Sequence, residues 1–154
     1  MLFRSAPAQA IVFGLGRYGS RLLTQLRAAG IEAIGVDFEA VRALRRRRLP
    51  VRFGDAEDPG FLETLPLAQL RWVVSTLPSW EANRALLHAL QTAGYAGAVA
   101  AAARDAAHGQ ALKAAGVARI LNPFDDAADH AARNLAVDLR ASENPSTTIA
   151  ETSP

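Results

Sequence analysis

The sequence predicts an α/β domain with a six-stranded parallel sheet and helices on both faces. Two observations predict this class. Short apolar runs alternate with helical patterns along the chain, and a glycine-rich turn joins the first apolar run to the first amphipathic segment. Right-handed crossovers on each side of the first strand then give the strand order 3-2-1-4-5-6, which is the doubly wound Rossmann fold. A ligand is expected at the carboxyl ends of strands 1 and 4.

The first half of the chain supplies three strands and three helices. The strands are short apolar runs, typical of a buried parallel sheet. Gly30 ends the first helix as a C-cap, and Asp58 precedes a proline at the start of the third. In order, we expect strand Gln9–Phe13, helix Arg17–Ala29, strand Ile31–Val36, helix Glu39–Arg47, strand Pro50–Phe53 and helix Pro59–Thr64.

The second half repeats this alternation. Gly94 and Gly116 end two of its helices, and Asp105 is expected to cap the start of another. In order, we expect strand Arg71–Thr76, helix Glu81–Ala93, strand Gly97–Ala101, helix Ala106–Ala115, strand Ala118–Leu121 and a last helix from Phe124 to about Arg140.

Composition indicates one globular domain. The chain has 154 residues, half of them hydrophobic and 21% charged, with no cysteine for disulfide or thiolate chemistry. The expected domain spans residues 9–140, preceded by a leader (1–8) and followed by a polar tail or linker stub (141–154). No apolar run approaches the length of a membrane span, so we expect a cytoplasmic location.

The glycine-rich turn carries the strongest functional signal. In Gly14-Leu15-Gly16-Arg17-Tyr18-Gly19, the three glycines permit a tight turn, close approach to a phosphate and packing of helix on strand. The helix N-terminus attracts the anion, and Arg17 in its first turn is a candidate phosphate contact or a solvent-exposed arginine. Asp37, at the end of the second apolar run, is expected to bind ribose hydroxyls, with Phe38 beside it.

Further candidates follow the other strands. Gly54, Asp55 and Ala56 follow the third strand, where Asp55 could accept from an adenine amino group or simply form a turn. Ser75, Thr76 and Leu77 follow the fourth, where hydroxyls would face the ribose or only precede a helix capped by Ser79. Arg104 follows the fifth strand and is expected to point toward the crevice.

The charged residues limit the classes of ligand and partner that we expect. Asp37 would repel a 2′-phosphate, which favours NAD(H), AMP, ADP or ATP over NADP. The run Arg45-Arg46-Arg47-Arg48 and the nearby Arg42 keep the NADP alternative open. Nucleic-acid binding is not expected, because the run is a single cluster at a helix end.

An enzyme is the alternative to a binding domain. A dehydrogenase needs a second surface for substrate and an acid or base in reach of the nicotinamide. His88, His108 and His130 fall within helix patterns away from the strand ends, and no residues suggest nucleophilic or metal chemistry. The last helix begins among Asp125, Asp126 and Asp129, which complement its dipole. A non-catalytic interaction module with a vestigial pocket is a further alternative.

Taken in series, the motifs GLGRYG, VDFEAVRAL, FGDAED, WVVSTLP, AAARD and LKAAGVARILNPFDDAADHAA resemble a known family over about Gln9 to Arg140. The chain is similar to the RCK N-terminal domain, also called the KTN or TrkA-N domain, of Kef-type antiporters, Trk and Ktr gating subunits and potassium channels. The series carries the resemblance, since GxGxxG alone occurs also in dehydrogenases.

The resemblance implies a domain that binds NAD(H) or adenine nucleotides without turnover and gates an ion pathway at the inner face of the cell membrane. Gly14, Gly16 and Gly19 would form the phosphate loop and Arg17 would meet the terminal phosphates. Asp37 and Ser75-Thr76 would meet the sugar, and Asp55-Ala56 the adenine. It implies a homodimer through about Ala106 to Arg140. The pore would lie on another chain or a missing segment, because the sequence shows neither a span nor a second ligand-binding domain.

Overall fold

The computed structural model describes residues 7–39, 45 and 47–143. Six strands pair in parallel in the order 3-2-1-4-5-6, which confirms the predicted fold class. The strands are β1 (Ala10–Phe13), β2 (Ala33–Asp37), β3 (Val51–Phe53), β4 (Trp72–Ser75), β5 (Ala98–Ala102) and β6 (Arg119–Leu121).

Helices connect the strands, and the helices that precede Asn122 pack on the faces of the sheet. The described helices are α1 (Arg17–Ala28), α2 (Pro59–Glu63), α3 (Trp80–Thr92), α4 (Ala106–Ala114) and α5 (Pro123–Ser142), with a 3₁₀ turn at Leu67–Gln69. The helix expected at Glu39–Arg47 lies for the most part outside the described residues. So do most of the expected leader and most of the expected tail.

The core lies on both sides of β1, whose four residues are all buried. Ile11 and Phe13 pack into a cluster with Leu62 of α2 and Leu86 of α3. The alternate residues Ala10 and Val12 pack on the opposite face, in the cluster that contains Leu23 of α1. Because successive side chains of a strand point to opposite faces, this alternation explains why the strand is apolar at every position.

Caps explain most of the element boundaries. Gly30, Gly94 and Gly116 adopt positive φ angles of 83°, 72° and 96°, which confirms the expected C-caps. Gly30 and Ile31 donate back to the carbonyls of Arg27 and Leu26. Ile31 is therefore hydrogen-bonded to the end of α1, and β2 begins at Ala33 instead of the expected Ile31.

Helix α5 forms a compact unit from Pro123 onward, separate from the unit that ends at Asn122. Its first turn carries Asp125 and Asp126, which complement the helix dipole as expected. Phe124, Leu135, Val137 and Leu139 are exposed along it. Within the described part of the chain, no helix combines the length and apolarity needed to cross a membrane.

Candidate functional site

A cavity of about 550 Å³ opens at the carboxyl ends of β1 to β4. This volume falls in the range of small-molecule sites, about 300–1,000 Å³. Four segments form it: the glycine-rich turn, the end of β2, the loop after β3 and the loop after β4. Its lining residues are Gly14, Gly16, Arg17, Tyr18, Gly19, Val36, Asp37, Phe38, Glu39, Gly54, Asp55, Ala56, Glu57, Thr76, Leu77, Pro78, Ser79 and Ala82.

The glycine-rich turn needs glycine at two positions for different reasons. Gly14 has a φ of 84°, a conformation that L side chains rarely adopt, and its N–H donates to the Val36 carbonyl at 3.0 Å. A Cβ on Gly19 would overlap the carbonyl of Gly14 and crowd the Thr76 hydroxyl. The first turn of α1 can therefore pack directly on the end of β1.

Gly16 differs from both, because a Cβ there would meet nothing within 4 Å. It precedes α1 in extended geometry, with no side-chain cap over the first turn. The N–H groups of a helix's first turn have no acceptor inside the helix, and the helix dipole adds partial positive charge. This end of the cavity can therefore receive an anion close to the backbone.

Asp37 bridges the end of β2 to the glycine-rich turn. Its Oδ2 accepts from the backbone N–H of Leu15 at 2.6 Å, and its Oδ1 accepts from the N–H of Glu39 at 2.7 Å. An ionised carboxylate has about four lone-pair sites and can accept several hydrogen bonds at once. The carboxylate thus braces the turn and faces the cavity at once.

The loop after β3 is held by backbone and side-chain bonds. The Gly54 N–H donates to the Asp37 carbonyl at 3.2 Å, and Asp55 Oδ1 accepts from the Glu57 N–H at 2.9 Å. A Cβ on Gly54 would overlap the Phe61 ring, so the loop packs closely on α2. Ala56 is buried, which leaves a small side chain at this wall of the cavity.

The loop after β4 depends on a buried residue that the sequence reasoning did not single out. Asn83 of α3 accepts from the Ser75 hydroxyl at 2.6 Å and donates from Nδ2 to the carbonyls of Leu77 (3.0 Å) and Ser79 (2.7 Å). The available signal was its position on the buried face of α3, at helical spacing from Leu86 and Leu90, although that position does not reveal its partners. Asn83 therefore fixes the backbone of a segment that lines the cavity.

Three predicted site residues do not line the cavity. The Leu15 side chain is buried in the core, although its N–H meets Asp37. Ser75 is buried and its hydroxyl is committed to Asn83, so it does not face the cavity as expected. Arg104 follows β5, and its N–H donates to His108 Nδ1 at 3.3 Å. The other predicted residues all line the cavity.

Thr76 brings its hydroxyl to the glycine-rich turn. Its Oγ1 donates to the Gly14 carbonyl at 2.5 Å and lies 3.2 Å from the Phe13 carbonyl. The hydroxyl proton is therefore used within the protein. The oxygen's lone pairs remain available as acceptors.

Charge is distributed unevenly around the cavity. Asp37, Glu39, Asp55 and Glu57 place carboxylates on the side formed by β2 and β3, whereas Arg17 is the cation among its described lining residues. The arrangement suits a ligand with an anionic end at the glycine-rich turn and hydrogen-bonding hydroxyls and amines at the other end.

The histidines lie elsewhere. His88, His108 and His130 are absent from the cavity lining, and His108 is buried with Nε2 lacking a hydrogen-bond partner. Among the described residues, no group of three or more histidine and carboxylate side chains is placed to hold a metal ion.

Comparisons with known proteins agree with this geometry. The chain is 28% identical over 113 residues to the glutathione-regulated potassium-efflux system protein KefC of Cronobacter sakazakii, a match that covers 72% of this chain and 18% of KefC. The chain thus spans about a fifth of that relative's length.

Solved structures share the fold. The NAD(P)-binding domain of an exopolyphosphatase-related protein from Archaeoglobus fulgidus superposes with a TM-score of 0.73 at 21% identity, over 84% of this chain and 98% of that one. The TrkA-N domain of inner membrane protein ybaL from Escherichia coli superposes with a TM-score of 0.68 at 21% identity, over 85% of this chain and 98% of that one.

Some structures with this fold were solved with nucleotides. The GsuK channel bound to NAD superposes with a TM-score of 0.64 at 20% identity, over 78% of this chain and 22% of that one. The AMP-bound Kef C-terminal domain of Shewanella denitrificans superposes with a TM-score of 0.63 at 19% identity, over 83% of this chain and 79% of that one. GsuK was also solved bound to ADP.

The family model of the TrkA-N domain matches residues 10–123, which include β1 to β6 and every residue of the cavity lining. The chain belongs to the TrkA-N domain family.

Proposed function

We propose that this chain is a nucleotide-sensing regulatory domain. It binds NAD(H) or AMP, ADP or ATP in the cavity above β1 to β4, and the bound nucleotide gates a potassium channel or transporter. The observation that carries the proposal is the convergence of the glycine-rich turn, Asp37 and the Asp55 loop on one cavity of nucleotide size.

The phosphates occupy the glycine-rich end. Gly16 leaves open space where a side chain would stand, and the first turn of α1 offers N–H donors. Arg17 lines the same end and supplies a charge-assisted contact to phosphate oxygens. Arg17 matters most for ligands with a longer phosphate chain.

The nucleoside occupies the acidic side. Asp37, the acidic residue at the end of β2, accepts from the ribose hydroxyls, while Asp55 accepts from the adenine amino group beside the small Ala56. Phe38, with 62% of its surface exposed, offers a ring at the cavity wall. Four carboxylates on this side oppose a 2′-phosphate, which disfavours NADP.

The bound nucleotide stays chemically intact. The titratable side chains in the cavity are the four carboxylates, Arg17 and Tyr18, and the histidines lie outside it. Hydride transfer needs a substrate surface and an acid or base beside the nicotinamide. In this proposal occupancy of the cavity, and not turnover of the nucleotide, is the signal.

Signalling requires two arrangements with different nucleotide affinity. Coupling of this kind is typically worth about 1–3 kcal/mol. We propose a homodimer through residues 106–140 as the element that changes, which the exposed apolar side chains of α5 support. The transport pathway belongs to another chain or to a further segment, as similarity to KefC suggests.

Calorimetry with NAD⁺, NADH, AMP, ADP, ATP and NADP⁺, followed by chromatography of the recovered ligand, tests the binding half. We expect at least one of the first five to bind and to be recovered unchanged. NADH oxidation with a carbonyl panel would instead indicate an oxidoreductase cofactor domain, and absence of binding would indicate an interaction module.

The gating half is tested by potassium flux. The transporter or channel that carries or recruits this domain is reconstituted in liposomes, with the wild-type domain and with Asp37→Ala. We expect nucleotide to change the flux only with the wild-type domain. Equal responses would contradict the proposal.

A further inference from the structure

The edge of the sheet opposite the cavity is basic. All six strands are parallel, so their amino ends lie together at one edge, and helices that return antiparallel end there too. Cations gather at this edge, before strands, at the first residue of a strand or in the last turns of helices: Arg27, Arg47, Arg48, Arg71, Lys113 and Arg119. The described carboxylates there are Glu32, which pairs with Arg27 at 3.4 Å, and Glu63. We call this surface the amino edge.

Helix dipoles account for only part of this charge. Arg27 and Lys113 occupy the last turns of α1 and α4, where cations are favoured. Arg71 and Arg119 instead stand at the starts of β4 and β6, and both are exposed. These two arginines need another explanation.

Arg48 adds a conformational argument. Its φ is 60°, and it is the non-glycine residue with positive φ among those described. Glycine or asparagine is the usual residue in this left-handed region of backbone conformation. An arginine at this position therefore adds a positive charge but strains the backbone. The strain falls at the amino edge, immediately before β3.

Exposed apolar side chains accompany the cations. Trp72, the first residue of β4, is 37% exposed, and Ile31, which precedes β2, is 36% exposed. Tryptophan and arginine together are typical of the boundary between lipid headgroups and acyl chains. A surface that binds only phosphate groups has no need of exposed apolar side chains such as Trp72 and Ile31.

The shape of the edge also favours a flat partner. Six strands spaced about 4.8 Å apart extend over roughly 24 Å. Arg48 precedes β3 at one end, Arg71 precedes β4 near the middle, and Arg119 begins β6 at the other end. The charges are thus spread along a line and do not converge on one small ligand.

We propose that the amino edge docks on the anionic lipid headgroups of a membrane surface, with Trp72 and Ile31 entering the interface. The cavity lies at the opposite edge, so a docked domain keeps its nucleotide site open to solution. This inference is independent of the proposed function, because no amino-edge cation named here lines the cavity.

Vesicle co-sedimentation tests the proposal, with the full chain and mixed phosphatidylserine–phosphatidylcholine vesicles against pure phosphatidylcholine. We expect binding only to the anionic vesicles, and weaker binding in high salt. Each amino-edge cation removed should lower the partition coefficient about fivefold, so Arg71→Gln with Arg119→Gln should lower it about 25-fold.

A matched control removes the same charge elsewhere. Arg84→Gln with Arg104→Gln alters two exposed arginines of the unit that contains the sheet, one in the first half of α3 and one after the carboxyl end of β5. Near-wild-type vesicle binding by this control supports the amino edge as the docking surface. Equal losses in the two double variants would overturn the proposal, as would equal binding to both kinds of vesicle. A wild-type circular dichroism spectrum and cooperative thermal unfolding show that each variant is folded.

Two further variants separate the alternatives. Arg48→Gly relieves the backbone strain, so we expect a higher melting temperature together with weaker vesicle binding. Trp80→Phe leaves Trp72 as the single tryptophan, and the fluorescence emission of Trp72 should shift to the blue on phosphatidylserine vesicles.

Binding to a DNA duplex without binding to vesicles would overturn the proposal in favour of nucleic acid.

Discussion

The carboxylate of Asp37 accepts a hydrogen bond of 2.6 Å from the backbone N–H of Leu15, 22 residues earlier in the chain. The bond ties the acidic end of β2 to the glycine-rich turn after β1. A residue expected to recognise the ligand therefore also holds the phosphate-binding segment in place, and its substitution affects both binding and stability.

Replacing Asp37 should separate these two contributions. Asp37→Ala leaves the N–H groups of Leu15 and Glu39 without their acceptor, so we expect a loss of about 1–3 kcal/mol in unfolding free energy and a similar loss in nucleotide affinity. Urea unfolding and calorimetry measure the two. Unchanged affinity in a folded variant would show that Asp37 does not contact the ribose.

Gly16 and Gly19 form a second pair of tests. Gly19→Ala should destabilise the protein by more than about 2 kcal/mol, because its Cβ overlaps the Gly14 carbonyl. Gly16→Ala should change the melting temperature little and yet weaken nucleotide binding, since its Cβ enters the space assigned to phosphate. Full nucleotide affinity in Gly16→Ala would place the phosphates elsewhere.

Arg17 can be tested by the length of the phosphate chain. Arg17→Ala should weaken ATP more than AMP, because only the longer ligand extends to its guanidinium. Titration of both ligands against both proteins measures the difference. Equal losses would mean that Arg17 does not contact the distal phosphates.

Asn83 should position the loop after β4. Asn83→Ala leaves the Leu77 and Ser79 carbonyls without this donor and removes the acceptor of the Ser75 hydroxyl, so we expect a loss of about 2–3 kcal/mol in stability. Nucleotide affinity should fall as well, since Leu77 and Ser79 line the cavity. Asn134→Ala, on the exposed face of α5, is the matched control and should change neither.

Tyr95 predicts a dependence of stability on alkaline pH. Burial raises the pKa of its phenol above the ordinary value of 10.0, and the hydroxyl donates to the Ala98 carbonyl at 3.0 Å. The neutral phenol is favoured in the folded state, so its contribution is complete below pH 10 and lost as the pH rises through the folded-state pKa.

Tyr95→Phe checks this sign. It should cost about 1 kcal/mol at neutral pH through the lost hydrogen bond, and its stability should fall less steeply above pH 10 than that of the wild type. Urea unfolding at neutral and alkaline pH gives both quantities. Parallel alkaline losses in the two proteins would contradict the assignment to Tyr95.

Sequence reasoning predicted the strand order and most of the cavity lining, because both follow from local patterns. Gly14 and Gly19 occupy positions where backbone geometry excludes other residues, and Asp37 ends a strand beside them. Such constraints are visible in the spacing of residues along the chain.

The failures concern the direction of side chains and contacts distant in the chain. Ser75 ends β4 and gives its hydroxyl to Asn83 in the interior, whereas Thr76, the first residue after the strand, lines the cavity. Arg104 was expected in the crevice, but β5 is separated from β1 by β4 in the sheet, and Arg104 does not line the cavity. Asn83 acts across a loop, and no local pattern indicates its three bonds.

The central claim is that the cavity holds an intact adenine nucleotide. Thermal unfolding with each nucleotide tests it most directly, because a ligand at about 100 times its dissociation constant adds about 2.7 kcal/mol of stability. We predict such a stabilisation with NAD⁺, NADH, AMP, ADP or ATP, its loss in Gly16→Ala, and recovery of the ligand unchanged. No shift with any of these nucleotides would contradict the account.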